Sequence, residues 1–221
     1  MSGSVPALLN YEVLRARRSG ALIVHRMHMT YVVLGSRQDV ELLSSAARGR
    51  LELRRRRGGG GIVVLDPGGL WVDWWIPSTD PRWTPDIREA ALGAGEWWRA
   101  VLANRVAGAV SVHAGPVTGA VEHRVVCFAG RGPGEVFVED RKAVGLMQWR
   151  VREGALISTQ IPSQPAARVL DWLAAPPPGL GAQMRHHTVG SLGLDDPEAV
   201  VAALVDQGGP WVVDVVDHPA I

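Results

Sequence analysis

Four arginines followed directly by four glycines, residues 54–61, stand between two apolar segments of the chain. Glycine reaches backbone conformations closed to other residues and lets the main chain lie against a ligand. The arginine guanidinium is a planar donor suited to carboxylate and phosphate. Apolar β-formers flank the run, at Leu51 and Leu53 before it and at residues 62–65 after it. We therefore predict a turn between two strands that holds an anion against backbone N–H groups, with an exposed, hydrated loop as the alternative.

The composition narrows the class of protein. The 221 residues are 47% hydrophobic and 20% charged, with a formal net charge of +1. These values fit one globular domain over residues 1–221, without a general attraction to nucleic acid or to a membrane. No apolar run reaches the ~20 residues of a membrane-spanning helix, and the N-terminus lacks a secretory signal pattern. The single cysteine, Cys127, is typical of a reducing compartment, so we expect a cytoplasmic protein, and a monomer.

Hydrophobic periodicity and turn residues predict short strands interspersed with helices. Helices are predicted at residues 6–18, 39–47, 84–101, 164–173 and 196–206. Strands are predicted at residues 21–25, 31–35, 62–65, 70–76, 108–112, 124–128, 135–138, 143–149 and 155–161. This pattern indicates an α+β fold, in which a mixed, largely antiparallel sheet packs against helices.

Two helix starts are marked by capping residues. Thr84-Pro85-Asp86 offers a hydroxyl cap, a proline at the first helical position and a carboxylate at the positive end of the helix dipole. We predict Thr84 as the cap of this helix and Ile87 on its buried face. Asp39 is predicted to cap a second helix, which runs to Ala47 and buries Val40.

A second candidate site lies between Cys127 and Gln148. A lysine at the start of a strand, Lys142, can place a charge on a phosphate or on a developing oxyanion, although a surface lysine is the alternative. Gly145, inside the same predicted strand, indicates the close approach of a ligand or of another backbone. Cys127 is a candidate nucleophile or, alternatively, a small buried apolar residue.

Two other kinds of site are not predicted. No Gly-Lys-Ser/Thr follows the glycines, which excludes a nucleotide P-loop. The histidines and the single cysteine lack the spacing of metal ligands, so no metal site is predicted, and His186-His187 is assigned to a surface loop.

Three segments, in this order, resemble motifs of the lipoate–protein ligase and octanoyltransferase family, whose catalytic domain is shared with biotin–protein ligases. They are residues 33–38 (VLGSRQ), 55–68 (RRRGGGGIVVLDPG) and 141–148 (RKAVGLMQ). The likeness covers most of residues 7–161. It implies an α/β sandwich of the class II synthetase and biotin ligase type. Many ligases of the family carry an accessory C-terminal domain; because only about 60 residues follow Ile161, we expect a single catalytic domain without it.

The resemblance also implies a chemistry. Such an enzyme attaches a lipoyl or octanoyl group to a lysine of a lipoyl carrier domain, and a ligase uses ATP with Mg²⁺ for this. The implied catalytic residue is Lys142, over the reacting carbonyl and the adenylate phosphate. The implied acyl site contains Arg55, Arg56, Gly59, Gly60, Gly61 and Gly145. A transferase would instead take the acyl group from an acyl carrier protein through a Cys127 thioester, without ATP.

The chain departs from the family motifs at four places. Gly58 stands where the family has Ser or Thr, Leu65 where it has His, and Met147 where it has a small residue. Residues 156–159 (Leu-Ile-Ser-Thr) lack the expected His and Gly. These changes leave two further alternatives, a binding module without turnover and nucleic-acid binding through residues 48–57; the second lacks interleaved aromatic residues.

Overall fold

The computed structural model describes residues 5–188, 192 and 196–218. Its strands are β1 (Ala21–Met27), β2 (Tyr31–Leu34), β3 (Glu52–Arg55), β4 (Val63–Leu65), β5 (Leu70–Pro77), β6 (Val110–Val112), β7 (Val136–Val138), β8 (Arg141–Val151), β9 (Gly154–Ile161) and β10 (Val212–His218). Its α-helices are α1 (Tyr11–Ala16), α2 (Ser45–Arg50), α3 (Ile87–Leu102), α4 (Leu180–His187) and α5 (Pro197–Val205).

The strands form two sheets. The large sheet has seven strands in the order β10-β1-β5-β9-β8-β7-β6, and the small sheet has three in the order β3-β2-β4. Only β1–β10 and β2–β3 are parallel among the paired strands of the described chain; the others are antiparallel. The predicted α+β class, with a mixed and largely antiparallel sheet, is confirmed.

The large sheet has an apolar core on each face. On one face α3 and α5 pack against the sheet, with Trp74, Trp98 and Leu204 completely buried. The other face meets the small sheet and α4, through Trp71 and Phe128 among others. Burial of this apolar surface is the main stabilising contribution to the fold, and tryptophan supplies much of it here. The seam between the two sheets also contains buried polar residues of the large sheet, among them Asp73, Ser158 and Gln160.

Helix α3 begins later than the sequence predicts. Asp86 is the cap, because its carboxylate accepts hydrogen bonds from the N–H groups of Arg88 (2.7 Å) and Glu89 (3.1 Å). Thr84 caps nothing in the helix; its hydroxyl accepts from the N–H of Asp86. Ile87 is 62% exposed, so its predicted burial is wrong. Aspartate and threonine are both favoured as helix caps. Asp86 is the cap here because it directly precedes the first helical residue.

Other elements also differ from the predictions. The helix predicted over residues 39–47 is a 3₁₀ turn at Val40–Leu42, capped by Asp39, followed by α2, capped by Ser44. The helix predicted over residues 164–173 is a 3₁₀ helix at Ala166–Trp172. The strand predicted over residues 124–128 is wrong, because this segment forms 3₁₀ turns at Glu122–Val125 and Cys127–Ala129.

Two elements after residue 175 were not predicted, α4 and β10. His186 and His187 end α4, so their assignment to a loop is wrong. Among the described residues, no helix is both long and apolar enough to cross a membrane.

Candidate active site

The inner face of the large sheet presents two rows of cross-strand neighbours towards the small sheet. In one row Trp71, Gln160 and Gly145 face one another on β5, β9 and β8. In the next row Asp73, Ser158 and Met147 do so. Directly opposed residues of paired strands lie on the same face. The lysine motif on β8 is therefore brought next to polar residues of β5 and β9.

The arginine–glycine run begins with Arg54 and Arg55, the last residues of β3, and leads towards β4. Both strands pair with β2, on its two sides. The prediction of a turn between strands is confirmed. Gly60 has a φ of +89°, which favours glycine. A β-carbon on Gly61 would lie 2.4 Å from the carbonyl carbon of Val126, so the loop lies directly against the segment that contains Cys127.

Hydrogen bonds from Ile62 fix this contact. Its N–H donates to Val125 O (2.7 Å), and its carbonyl accepts from the N–H of Cys127 (3.0 Å). The N–H groups of Gly59, Gly60 and Gly61 donate to no other group in the described part of the chain. Free N–H groups at a turn can bind an anion; anion binding by this loop stays a prediction.

The buried side chain of Arg56 holds the glycine loop by hydrogen bonds to its carbonyls. Its guanidinium donates to the carbonyls of Gly59 (3.0 and 3.2 Å), Gly61 (2.7 Å) and Val33 (3.3 Å). Arg56 is buried, and it has no carboxylate partner among the described residues. Burial lowers its pKa, since removal from water disfavours the charged form.

Arg55 has a similar role on the outside of the loop. It donates to the carbonyls of Gly35 (3.0 Å) and Gln38 (2.6 Å), which belong to the segment 33–38. Gln38 in turn donates to Val125 O (2.9 Å). The two arginines that the resemblance assigns to the substrate thus hold backbone carbonyls in this structure.

An outer cavity of about 290 Å³ opens between the glycine loop, residues 117–132 and β8. Gly59, Gly60 and Gly61 form one wall, and Cys127 and Met147 lie at its inner end. Its charged lining residues are Arg124, Arg131 and Glu135. The side chain of Arg124 makes no ion pair with any described residue.

Lys142 lies behind the wall of this cavity. Its ammonium is 2.5 Å from Glu135 Oε1 and donates to the carbonyls of Cys127 (3.0 Å) and Gly130 (3.1 Å). The lysine is 1% exposed, so the surface alternative for Lys142 is wrong. Burial raises the pKa of Glu135, and the charge of Lys142 partly offsets this rise.

The glycine in the same strand accommodates an aromatic ring. A β-carbon on Gly145 would lie 2.9 Å from Cε2 of Phe128. The ring of Phe128 also lies 5.0 Å from the ammonium of Lys142. A side chain, Phe128, makes a close approach at Gly145; Gly145 also lines a small space between the sheets, and its contact with a substrate stays a prediction.

Solved structures share this arrangement of sheets and helices. No protein-family model and no curated protein matches the chain. Lipoate-protein ligase A bound with ATP superposes with a TM-score of 0.70, at 18% identity over 94% of this chain and 81% of that chain. A lipoate ligase-like protein of T. acidophilum with bound lipoic acid gives 0.68, at 16% identity over 98% and 89%.

The chain has the catalytic fold of the lipoate–protein ligases. A third structure, the bi-partite lipoate protein ligase of Thermoplasma acidophilum studied with its E2 lipoyl domain, superposes with a TM-score of 0.64 at 15% identity, over 94% of this chain and 80% of that chain. The fold implied by the three sequence motifs is confirmed.

Within this lipoate ligase fold, Cys127 lies at the junction of two spaces. It lines the outer cavity and also a small space of about 10 Å³ beside it. Lys142 contacts Cys127 through its backbone carbonyl. Arg56 lines the same small space as Cys127. Cys127 and the glycine loop thus line the same cavity, whereas Lys142 is not among the residues that line it.

The sequence predictions did not include Glu135, Arg124 or Arg131 as site residues. An acidic residue directly before the apolar strand β7 was a usable signal for Glu135. Arg131 donates to Asp140 O (3.0 Å) and packs on Phe137 at 4.6 Å from the ring centroid. Both arginines lie in or beside a segment that was predicted to be a strand, so their convergence on the cavity could not be anticipated.

A buried polar chain runs along the same seam. His25 lies 3.0 Å from Asp73 and 3.0 Å from His218, and Trp71 donates to Asp73 (2.6 Å). Burial, followed by the charge of His25, lowers the pKa of His218 to about 4. In the described ranges, no three His, Cys, Asp or Glu side chains are grouped so that they could hold a metal ion.

Proposed function

We propose that this protein is an enzyme of the lipoate–protein ligase type. It attaches a medium-chain acyl group, of the lipoyl or octanoyl kind, to a lysine of a lipoyl carrier domain, with ATP as the activating substrate. The observation that carries the proposal is the outer cavity, which is lined by Gly59–Gly61, Arg124, Cys127 and Glu135. The structural neighbours support it, since one is bound with ATP and another with lipoic acid.

The reaction has two steps. The carboxylate of the acid attacks the α-phosphorus of ATP and pyrophosphate leaves, which gives an acyl-adenylate. The amine of the carrier lysine then attacks the acyl carbonyl, an amide forms, AMP leaves and the amine loses a proton to water. Both steps build negative charge on phosphate or carbonyl oxygens. Oriented donors in a site shielded from water stabilise such charge.

The residues of this chain have distinct roles in the proposal. The loop N–H groups and Arg124 bind the phosphate or carboxylate oxygens. Glu135 lines the cavity and holds Lys142 at 2.5 Å, so an anion in the cavity competes with Glu135 for the ammonium. Mg²⁺ would arrive with the ATP phosphates, which it commonly accompanies, and no step is assigned to it.

A second candidate function is acyl transfer without ATP. The observation that favours it is the position of Cys127 at the junction of the two spaces, with the charge of Arg56 nearby. The thiolate would attack the thioester of an acyl carrier protein and release the carrier thiol. The target lysine would then attack the enzyme thioester and release Cys127. In either function we place the reaction in the cytoplasm, catalysed by a monomer.

The test is carrier acylation by the purified protein. A lipoyl domain is incubated with lipoate or octanoate, with and without ATP, and with octanoyl carrier protein in a third reaction. Intact mass is measured for both proteins. We expect an ATP-dependent gain of one acyl group on the lipoyl domain. The matched control is a lipoyl domain whose target lysine is replaced by arginine, which should gain nothing.

Two results separate the alternatives. An acyl group on the enzyme itself, lost in Cys127→Ser, would support the transferase. Product formation by Cys127→Ser with ATP would support the ligase. Absence of product in all three reactions would contradict both functions. Stabilisation of the protein by the acid without product would then indicate a binding module.

A further inference from the structure

A small space lies beside the outer cavity, between the two sheets. Its lining includes Arg56, Trp71, Phe128, Met147, Ser158 and Gln160. We call this space the inner chamber. Its volume of about 10 Å³ is close to the minimum for a single water molecule, ~10–15 Å³. Cys127, Leu146 and Met147 line both spaces and form the partition between them.

Two polar atoms of the inner chamber have no hydrogen-bond partner in the described part of the chain. They are Ser158 Oγ and Gln160 Oε1, and the two residues are 2% and 4% exposed. The amide nitrogen of Gln160 is satisfied, since it donates to Val64 O (2.5 Å). Buried polar atoms are nearly always hydrogen-bonded, so each exception needs an explanation. The two atoms line the same chamber, which suggests one common partner.

The partition contains one side chain that can move. Met147 has three rotatable bonds and adapts to irregular surroundings. Its side chain lies over Gly58, in the space that a β-carbon there would occupy. It also borders the outer cavity of about 290 Å³, which offers room for another rotamer. Rotation of Met147 would join the inner chamber to the outer cavity.

We propose that Ser158 and Gln160 bind a hydroxyl group near the far end of the acyl substrate, which enters the inner chamber past Met147. This inference rests on the proposed function, which leaves the carboxylate end of the acid in the outer cavity. A hydroxyl group both donates and accepts one hydrogen bond with ease. It would donate to Gln160 Oε1 and accept from the hydroxyl of Ser158. Within the class of medium-chain acids, the chamber thus selects a hydroxylated chain over a plain alkyl chain.

The experiment compares acids that differ only in the group at the far end of the chain. Binding of 8-hydroxyoctanoic acid and nonanoic acid to the full chain is measured by calorimetry, together with the shorter pair 6-hydroxyhexanoic acid and heptanoic acid. Each pair exchanges a terminal hydroxyl for a methyl group of similar size. We expect the hydroxy acid of at least one pair to bind about tenfold more tightly or better, equivalent to ~1.4 kcal/mol. Equal affinities in both pairs, or no binding of any acid, would overturn the inference.

Three variants test where in the protein the preference for the hydroxy acid arises. Ser158→Ala should reduce the preference to about twofold or less while nonanoic acid binds as before, which also shows that the variant is folded. Ser111→Ala, the same change at an exposed position of β6, should leave the preference intact. Met147→Ala should tighten the binding of both acids of the longer pair. A preference that survives in Ser158→Ala would overturn the assignment to the chamber.

The outcomes are separable from those of the carrier acylation test. A protein that binds the hydroxy acid selectively but acylates no carrier contradicts the proposed function alone. A protein that acylates a carrier equally well with nonanoic acid and its hydroxy counterpart contradicts the inner-chamber inference alone.

Discussion

The sulfur of Met147 lies 1.9 Å from the point where a β-carbon on Gly58 would stand. Gly58 and Met147 are two of the positions where the chain departs from the motifs of the family it resembles. In the structure the two departures are coupled. The Met147 side chain, on β8, occupies the space that a side chain at position 58 would need. The two positions therefore share one space, which the Met147 side chain fills.

We expect Gly58→Ser to destabilise the protein by about 1–3 kcal/mol, the usual result of overpacking a filled site. The double variant Gly58→Ser/Met147→Ala should recover at least ~1 kcal/mol of this loss, because the two side chains are in direct contact. Urea unfolding of the wild type, both single variants and the double variant gives the coupling free energy. Strictly additive effects would show that the two positions do not share one space.

The sequence predicts those parts of the fold that depend on local patterns. Continuous runs of β-branched and aromatic residues identify β1, β2, β5 and β9. The regular spacing of Ala91, Ala94, Trp98 and Val101 identifies α3, and all four are buried. These segments are long enough for the period of the pattern to be unambiguous.

The wrong and missing elements depend on distant partners. Residues 124–128 read as a strand, but the segment forms one isolated bridge, from Val126 to Ile62. Its 3₁₀ turns direct the carbonyls of Cys127 and Gly130 towards Lys142. Strand β10 exists because it adds in parallel to β1, almost the whole chain away. Strand propensity depends strongly on such neighbours, so it cannot be judged from the segment alone.

The ion pair of Lys142 and Glu135 leads to a prediction about stability. Replacing the lysine leaves a buried carboxylate without its counter-charge, which costs about 3–5 kcal/mol for a typical buried pair. We expect Lys142→Met to be strongly destabilised at pH 7. Lys142→Met/Glu135→Gln should regain most of that stability, and chemical denaturation of the three proteins measures this.

The pH dependence of Lys142→Met supplies a second measurement. Burial raises the pKa of Glu135, and loss of Lys142 removes the interaction that opposes this rise. A carboxyl whose pKa is higher in the folded state loses stability as the pH rises through that pKa. The stability deficit of Lys142→Met relative to the wild type should therefore shrink as the pH is lowered from 7 to 5. A constant deficit would show that Glu135 is not the cause.

The arginines around the glycine loop should separate into two groups. Arg56→Met leaves the carbonyls of Gly59 and Gly61 without their donor, and unsatisfied buried acceptors cost about 1–3 kcal/mol each. Removal of the desolvated charge offsets part of this, so we expect a loss of about 2–3 kcal/mol. Arg124→Gln, at an exposed position, should change stability by less than ~0.5 kcal/mol. ATP binding, measured by calorimetry, should weaken clearly in Arg124→Gln. Full ATP affinity in that variant would remove Arg124 from the site.

Local patterns also explain how much of the site could be predicted. The glycine run marks a turn by itself, and its place between strands is confirmed. The roles of Arg55 and Arg56 depend on the backbone carbonyls around them. Some of these carbonyls belong to residues 33–38, which are distant in sequence from the loop. The pairing of Lys142 with Glu135 follows from the register of β7 and β8, in which Phe137 lies opposite Lys142. No sequence pattern specifies that register.

His218 gives the chain a specific dependence on pH. Burial, followed by the charge of His25, lowers the pKa of His218 from the ordinary 6.5 to about 4. The unfolded chain therefore takes up a proton before the folded one does as the pH falls. Stability from this group is fully present above pH ~6.5 and is lost between pH ~6.5 and ~4, by up to about 3 kcal/mol. The charged groups that act on His218 besides His25 are Arg54, Asp73 and Asp217.

The measurement is urea unfolding at pH 7.0, 5.5 and 4.5. We expect His218→Asn to flatten the decline of stability over this range, since the amide does not titrate and can still hydrogen-bond to His25. His28→Asn is the matched control, because His28 is an exposed histidine beside the same strand, 3.4 Å from Asp217. It should retain the decline of the wild type. If His218→Asn loses stability with falling pH as steeply as the wild type does, the decline arises from other groups and the buried His25–His218 contact does not control it.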